Sequence, residues 1–277
     1  QPFLKWAGGK RQLLPIIKEF IPQEYNFFYE PCVGAGALLF YLQPSNCVIN
    51  DINYELMNCY QVIKDNPQEL IQLCQHHQAN NSKTYFYEIR KQDRQASYQQ
   101  MSCLEKAART IYLNKTCFNG ITRHNSRHEF NAPYGDYLRP SVVNPVVISA
   151  VSDYLNQNKC IILNEDFTGA LDSVKEGDWI YIDPPYYPVS KTASFTNYSG
   201  SNFTAEDQIR LKTLCDSLSD RGAQVLISNS ATPFIRELYT DPRYEIIEVA
   251  ATRAINCDAS KRGKIKEYLI YNSYKCC

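Results

Sequence analysis

Short β-rich apolar runs alternate with longer runs of helical spacing at both ends of this chain. In the first part, strands are predicted at residues 27–29 and 47–49, and helical patterns at 10–20, 37–42 and 54–63. A strand followed by a helix and then another strand is typical of a parallel sheet whose strands are joined by helices. The first sixty residues therefore predict the beginning of an α/β sheet.

This alternation stops near residue 67 and returns after residue 144. The part between has helical patterns at 69–77, 84–90 and 104–115, and then a polar segment, 118–140, rich in Asn, Arg and His. Beyond it, a helix is predicted at 205–219 and strands at 160–163, 179–182, 224–227, 244–249 and 266–271. We therefore predict an α/β fold with a doubly wound, Rossmann-like sheet formed by residues 1–64 and 145–277, and a mainly helical insertion at 65–144.

Composition excludes some classes of protein. The 277 residues are 44% hydrophobic, enough for a full core, and 29 basic residues balance 29 acidic ones. Any contact with nucleic acid must therefore come from local basic patches. No run approaches the roughly 18 apolar residues of a membrane helix, so we expect a cytoplasmic protein without a membrane partner. The 11 scattered cysteines include no Cys-x-x-Cys pair, which argues against a zinc site and a disulfide framework. We expect no metal, and no obligate protein partner is evident.

The most informative motif is Asp183-Pro184-Pro185-Tyr186, directly after the predicted strand 179–182. Open α/β sheets bind their ligands at the carboxyl ends of strands. Two prolines fix φ and remove two N–H groups, so the turn is stiff and its carbonyls can accept hydrogen bonds. A carboxylate, a carbonyl and an aromatic face suit a flat ring with an exocyclic amino group. Taken alone, the run could also be a Pro-rich turn with a capping Asp.

Two other predicted strands end in features of a nucleotide-type cofactor site. Gly34 and Gly36 follow the first strand, and Asp51 ends the second. Glycines let the backbone approach a ligand, and a carboxylate at this place can accept from both hydroxyls of a ribose. Leu39 replaces the third glycine of the dinucleotide fingerprint, which favours an uncharged adenosine-type ligand over a pyrophosphate. The glycines could instead serve a tight turn, and Asp51 could cap a helix.

Two weaker signals point to the same cofactor. Asp166 and Phe167 follow the third predicted strand and could hold and cover an adenine ring, although Asp166 could equally cap a helix. The run Lys5-Trp6-Ala7-Gly8-Gly9-Lys10 lacks the first glycine and the Ser/Thr of a phosphate-binding loop, which disfavours a nucleotide triphosphatase. We interpret it as a flap in which Trp6 packs on an apolar part of the ligand and Lys10 pairs with a carboxylate.

The order of these motifs resembles the α class of the Dam-type DNA adenine-N6 methyltransferases. The resemblance includes the run 5–10, the run Glu30-Pro31-Cys32-Val33-Gly34-Ala35-Gly36-Ala37-Leu38 and the tetrapeptide 183–186, and it extends over essentially the whole chain. It implies a methyltransferase sheet with one antiparallel strand near its end, and S-adenosyl-L-methionine as the methyl donor. It further implies catalytic roles for Asp183, Pro184, Pro185 and Tyr186. The expected cofactor contacts are Trp6, Ala7, Gly8, Lys10, Glu30, Pro31, Gly34, Gly36, Asp51, Asp166, Phe167 and Asp183.

The insertion is expected to bind double-stranded DNA. Between residues 88 and 139, nine basic residues face five acidic ones, a surplus that could also be a solvated face. The segment 118–135 resembles the family's recognition hairpin, which reads GATC. The resemblance implies DNA contacts from Lys5, Phe118, Asn119, Ile121, Arg123, Asn131 and Pro133, and Arg123 suits bidentate contact with guanine. Asp136 and Leu138 stand where relatives often carry basic residues, which leaves part of the phosphate contact to Arg139 or to the basic run Lys261-Arg262-Gly263-Lys264.

The expected function is therefore site-specific methylation of adenine N6 in double-stranded DNA, within GATC, after the base is flipped out of the helix. Two alternatives remain open from the residues. The same tetrapeptide could serve cytosine N4 or RNA, or the chain could be a catalytically silent DNA-binding module of the same fold. The intact Asp183 argues against a silent module.

Overall fold

The computed structural model describes residues 1–6, 10–189, 203–252 and 264–272. The described strands are β1 (Phe28–Glu30), β2 (Asn46–Asn50), β3 (Lys159–Leu163), β4 (Trp179–Ile182), β5 (Gln224–Ser230), β6 (Tyr244–Thr252) and β7 (Lys264–Asn272). The described α-helices are α1 (Leu14–Ile17), α2 (Leu39–Leu42), α3 (Tyr54–Asp65), α4 (Pro67–Ala79), α5 (Lys83–Lys91), α6 (Cys103–Thr116), α7 (Pro145–Gln157), α8 (Phe167–Ala170), α9 (Ala205–Asp220) and α10 (Pro233–Leu238). Short 3-10 helices lie at Lys10–Gln12, Lys18–Phe20, Gln92–Arg94, Ala96–Gln100 and Phe118–Gly120.

The seven strands form one sheet in the order β3-β2-β1-β4-β5-β7-β6. β1 to β5 pair in parallel, whereas β7 is antiparallel to both of its neighbours, β5 and β6. The predicted doubly wound sheet with one antiparallel strand near its end is thus confirmed. The strand order reverses between β1 and β4, and this is the place where α/β sheets bind ligands.

The two faces of the sheet explain why the central strands read as continuous apolar runs. Phe28, Trp179 and Tyr181 belong to the core on one face, whereas Ile180 and Ile182 belong to the core on the other. Strand side chains alternate between faces, and a parallel sheet is covered on both, so every position of β4 is buried. The strand that precedes Asp183-Pro184-Pro185-Tyr186 is therefore held rigidly in the centre of the protein.

The insertion and the sheet share one hydrophobic core. Phe86 of α5 and Ile111 of α6 belong to the same buried cluster as Phe28 of β1. Helix α7 returns the chain to β3, and it begins with Pro145 and is capped by Asn144, whose side chain accepts from two backbone N–H groups. None of the helices in the described ranges has the length and apolarity that crossing a bilayer requires.

Candidate active site and DNA-reading hairpin

The turn Asp183-Pro184-Pro185-Tyr186, predicted to be catalytic, begins where the sequence predicts it, at the carboxyl end of β4. Asp183 Oδ1 accepts a hydrogen bond from Ser228 Oγ of β5 at 2.8 Å. The same oxygen lies 2.9 Å from the ammonium nitrogen of Lys10. Lys10 was predicted to pair with a carboxylate, and in this structure that carboxylate is Asp183. Lys10 and Asp183, predicted from separate motifs, therefore lie together at one place in the fold.

Tyr186 is held by one contact to its hydroxyl and one to the face of its ring. Its hydroxyl donates to Glu267 Oε2 of β7 at 2.8 Å, and Lys10 Nζ lies 4.5 Å from the ring centroid. Burial, together with the nearby carboxylates of Asp183 and Glu267, raises the pKa of Tyr186 well above its usual value. The phenol therefore stays neutral and offers its ring as a stacking surface.

A row of buried amides holds the rest of the turn. The Pro185 carbonyl accepts from Gln208 Nε2 of α9 at 3.0 Å, and Gln208 Oε1 accepts in turn from Asn229 Nδ2 at 2.9 Å. Asn229 Oδ1 accepts from the backbone N–H of Tyr187 at 3.2 Å. Gln208 and Asn229 are completely buried. The conformation of the Pro-Pro turn is thus fixed by side chains that lie far from it in the sequence.

The glycine turn after β1 lets aromatic side chains pack directly against its backbone. Gly34 and Gly36 have φ of +51° and +69°, which L side chains rarely adopt. A Cβ on Gly34 would lie 2.9 Å from Trp6 Cδ1, so the indole packs directly over this glycine. The Gly34 carbonyl accepts from the hydroxyl of Tyr60 at 3.0 Å. Trp6 therefore packs on the glycine turn and its contact with the cofactor stays a prediction, whereas Ala7 and Gly8 lie outside the described residues.

Asp51 faces the glycine turn rather than capping a helix. Its Oδ2 accepts from the Gly34 N–H at 3.1 Å and its Oδ1 from the Asn53 N–H at 2.9 Å. Helix α3 is capped by the Asn53 side chain instead. Burial raises the pKa of Asp51 to about 6, although the two backbone hydrogen bonds oppose this shift. The carboxylate is thus kept in a partly buried place where a hydroxyl donor would stabilise its charged form.

Glu30 is the second buried carboxyl of the site. Burial and the nearby charge of Asp183 raise the pKa of Glu30 well above its usual value. Its Oε2 has no hydrogen-bond partner among the described residues. The adjacent Pro31 carbonyl accepts from Asn50 Nδ2 of β2 at 2.9 Å, which joins the ends of two strands. An unpaired buried acceptor beside the glycine turn fits a ligand that brings its own donor.

Asp166 and Phe167 are engaged in local structure. Asp166 Oδ1 accepts from the Thr168 N–H and from Arg210, each at 3.0 Å, and Asp166 is the N-cap of α8. The Phe167 ring is buried next to Phe203, with the Arg210 guanidinium 5.1 Å from its centroid. These contacts agree with the alternative interpretation of Asp166 as a helix cap. Adenine contact from this pair stays a prediction.

The segment 118–135, predicted to bind DNA, is a hairpin closed by two antiparallel bridges, Cys117 to Tyr134 and His124 to Phe130. At its base the Phe118 side chain is 56% exposed, and Asn119 has a left-handed φ of +56°. Elsewhere in the segment, Arg123 and Pro133 are exposed and Asn131 and Ile121 are partly exposed. The Nε of Arg123 donates to Asn131 Oδ1 at 2.8 Å.

Lys5 lies beside this hairpin. Its backbone N–H donates to Asn114 Oδ1 at 2.9 Å, and its carbonyl accepts from Asn114 Nδ2 at 2.7 Å. Asn114 Nδ2 also donates to Thr122 Oγ1 at 3.0 Å. One buried asparagine thus joins the amino-terminal segment to the hairpin, and the structure brings together all the residues predicted to contact DNA.

A buried ionic network anchors the hairpin. The Arg109 side chain is 1% exposed and lies 2.8 Å from Asp93 and 3.6 Å from Glu55. Asp93 Oδ2 accepts from the backbone N–H of Phe130 at 2.7 Å, and His124 Nε2 lies 3.6 Å from Glu55. Glu55 belongs to α3, which follows Asp51. The network therefore ties the hairpin to the sheet through α3.

Some residues of the site were not predicted from the sequence. Contacts to the predicted site residues or to their turns come from Ser228, Gln208, Glu267 and Asn50, and each of these contacts a partner distant in sequence. The one available signal was polar residues at the ends of apolar strands, as in Asn50 after residues 47–49 and Ser228 after 224–227. Such positions meet at the ligand-binding edge of a parallel sheet.

The sheet order, the glycine turn after β1, the acidic residue after β2 and the tetrapeptide after β4 define an S-adenosylmethionine-dependent methyltransferase. Residues 6–255 match the family model described as D12 class N6 adenine-specific DNA methyltransferase. The chain belongs to this family of enzymes, and the predicted reaction class and methyl donor are confirmed.

Relatives match over nearly the whole chain. A Type II methyltransferase, M1.LlaDCHI of Lactococcus lactis subsp. cremoris, is 46% identical over 98% of this chain and 95% of its own length. A second, M.MjaIII of Methanocaldococcus jannaschii, is 38% identical over 98% and 99%. The DNA adenine methylase of Escherichia coli K12 is 32% identical over 96% and 93%.

Proposed function

We propose that this enzyme methylates N6 of an adenine that is flipped out of double-stranded DNA, within the sequence GATC. The observation that carries the proposal is the pairing of an anchored carboxylate, Asp183, with a fixed aromatic ring, Tyr186, at the switch point of the sheet. N6 is a poor nucleophile because its lone pair is delocalised into the ring. The site must therefore hold the amino group while it becomes pyramidal.

The residues of the cofactor turn fit S-adenosyl-L-methionine. Asp51 offers a carboxylate to a pair of ribose hydroxyls, Glu30 has an unpaired buried oxygen, and Gly34 and Gly36 allow the positive φ angles of the turn. Trp6 covers this turn. When bound, the cofactor supplies a methyl group on a positively charged sulfur. We infer that these residues hold and orient it.

Asp183 and the Pro184 carbonyl act on the adenine. Both accept hydrogen bonds from the amino group, which favours a nitrogen whose lone pair points at the methyl carbon. They also stabilise the positive charge that develops on N6, so the catalysis is electrostatic and positional. Tyr186 stacks on the flipped base and offsets part of the few kcal/mol that flipping costs.

The hairpin supplies target recognition in this proposal. Asn131 engages the Nε of Arg123, so the two terminal nitrogens are those that meet guanine O6 and N7. The exposed Phe118 inserts into the base stack, and Asn119 supports the orphaned thymine. Ile121 and Pro133 contact a thymine methyl group, and Lys5 approaches the DNA beside them. The identity to proteins named DNA adenine methylase and Type II methyltransferase supports this assignment.

The experiment is to incubate the purified protein with unmethylated DNA and radiolabelled S-adenosylmethionine, digest the DNA, and identify the labelled nucleoside. We expect N6-methyladenine, and sequencing should place it at GATC. N4-methylcytosine would refute the assigned base, whereas N6-methyladenine at other sequences would refute only the target.

The role of Asp183 is tested in the same assay. Asp183→Asn should abolish methyl transfer while equilibrium binding to DNA is retained. Asp153→Asn, at an exposed position of α7, is the matched control and should keep wild-type activity. Transfer by Asp183→Asn at a rate near that of the wild type would remove this residue from the mechanism.

A further inference from the structure

The end of β5 lies beside the turn 183–186, and its residue Ser228 has no role in the proposed function. β4 and β5 are parallel, and Ile182 is opposite Ile227, so Ser228 is level with Asp183. Ser228 is completely buried. Its Oγ lies 2.8 Å from Asp183 Oδ1 and 3.1 Å from the hydroxyl of Tyr181. Three polar groups are thus lined up in the interior of the protein, ending at the catalytic carboxylate.

The chemistry of Tyr181, Ser228 and Asp183 decides which group donates and which accepts in each of the two hydrogen bonds. An ionised carboxylate only accepts, so Ser228 uses its single hydroxyl proton to donate to Asp183. The Ser228 oxygen can then only accept from Tyr181, which must be the donor. Burial raises the pKa of Tyr181 well above its usual value, so the phenol keeps its proton. The order is therefore Tyr181 to Ser228 to Asp183, and each hydrogen bond polarises the next.

The hydrogen-bond chain from Tyr181 through Ser228 contacts only one of the two carboxylate oxygens of Asp183, namely Oδ1. Ser228 and Lys10 both reach Oδ1, at 2.8 Å and 2.9 Å. The carboxylate torsion of Asp is broad, so an unsupported Asp183 would rotate. With Oδ1 held by two donors, rotation is suppressed and Oδ2 keeps one direction. A fixed acceptor is what positioning of the adenine amino group requires.

We propose that Ser228 is a positioning residue for methyl transfer, with Tyr181 as the donor behind it. Together they hold Asp183 Oδ1 so that Oδ2 accepts from the N6 amino group. The inference rests on the proposed function, because it assigns Asp183 to the amino group of the flipped adenine. Neither Ser228 nor Tyr181 touches the substrate in this scheme, so their removal should affect the transfer step and not the binding of either substrate.

The test is single-turnover methyl transfer with enzyme in excess over a GATC duplex at saturating S-adenosylmethionine. Ser228→Ala should slow the transfer about 10- to 100-fold, which is the usual effect of one hydrogen bond to a charged group. The dissociation constants for DNA and cofactor should stay within about twofold of the wild type. Tyr181→Phe should slow transfer less, by about 3- to 10-fold, because it removes only the polarising donor.

The double variant separates positioning from general disruption. Since Tyr181 reaches Asp183 only through Ser228, the Tyr181→Phe/Ser228→Ala enzyme should be as slow as Ser228→Ala alone, within about twofold. Ser152→Ala is the control: this serine of α7 is also buried and donates to the Lys64 carbonyl at 3.3 Å. It should keep the wild-type transfer rate.

Three results would overturn the inference: a wild-type transfer rate for Ser228→Ala, losses that multiply in the double variant, or a loss confined to substrate affinity. If Ser228→Ala does not fold, Tyr181→Phe still decides, because an unchanged transfer rate there removes the donor chain. Failure of the proposed function is a different observation, because the wild-type enzyme would then form no N6-methyladenine in GATC.

Discussion

Cofactor affinity should depend on the protonation of Asp51. Burial raises the pKa of this carboxyl to about 6, against the opposing hydrogen bonds from Gly34 and Asn53. A ribose hydroxyl donates to the ionised form and gains much less from the protonated form. S-adenosylmethionine should therefore bind to the protein in which Asp51 is charged, and acidification through pH 6 should weaken binding.

The magnitude follows from the titration. With a pKa of about 6, Asp51 is about 90% ionised at pH 7 and about 9% ionised at pH 5. The dissociation constant for S-adenosylmethionine should thus rise about tenfold between pH 7 and pH 5, and change little above pH 7. The ligand-free fold has the opposite dependence: the folded pKa lies above the unfolded one, so the contribution of Asp51 to stability falls as pH rises from about 4 through 6.

Calorimetric titration between pH 5 and pH 8 tests this directly. Asp51→Asn should bind more weakly at pH 7 and should lose the tenfold dependence on pH. Asp166→Asn is the comparison, because hydrogen bonds to Thr168 and the charge of Arg210 outweigh burial and lower the pKa of Asp166, so it does not titrate in this range. Equal affinity of the wild type at pH 5 and pH 7, or a retained dependence in Asp51→Asn, would refute the assignment.

Three further predictions concern recognition, stability and stacking. Arg123→Ala should reduce discrimination at the contacted guanine by about 1–3 kcal/mol, measured as relative kcat/KM on single-base variants of GATC; an unchanged preference would contradict it. Arg109→Met removes one of the two guanidinium groups that pair with buried Asp93 and leaves Arg94, at 2.7 Å; it should lower the free energy of unfolding in urea by about 1.5–3 kcal/mol, so a loss below about 0.5 kcal/mol would refute the network. Tyr186→Phe removes the hydrogen bond to Glu267 but keeps the ring, so it should retain much more activity than Tyr186→Ala; equal losses would argue against stacking.

The sequence predicted the parts of the fold whose signal is local. All seven strands follow apolar runs, and the helices with clear periodicity were found, including α3, α6 and α9. Helix α7 was not predicted, because its first turns carry the β-branched residues Val146, Val147 and Ile148, which weaken the helical pattern. The short helices α8 and α10 have too few residues to show a period. The boundaries of the insertion, 65 and 144, stay predictions.

The site was predicted as a set of residues but not as a set of contacts. The strand ends at Asp51 and Asp183 follow from the topology of parallel sheets, which places them at one edge. The pairing of Lys10 with Asp183, and the support of the turn by Ser228 and Gln208, depend on packing between distant segments. Periodicity carries no information on such pairs.

The buried ions around Arg109 bear on redesign of this enzyme. Asp93 and Arg109 lie in the insertion, yet one partner, Glu55, belongs to the first turn of α3. Suppose that the insertion were transplanted without its own counterpart to Glu55. The buried guanidinium of Arg109 would then lack one of the carboxylates that neutralise it. Chimeras between relatives should therefore be joined upstream of α3, so that Glu55 and Arg109 come from the same parent protein.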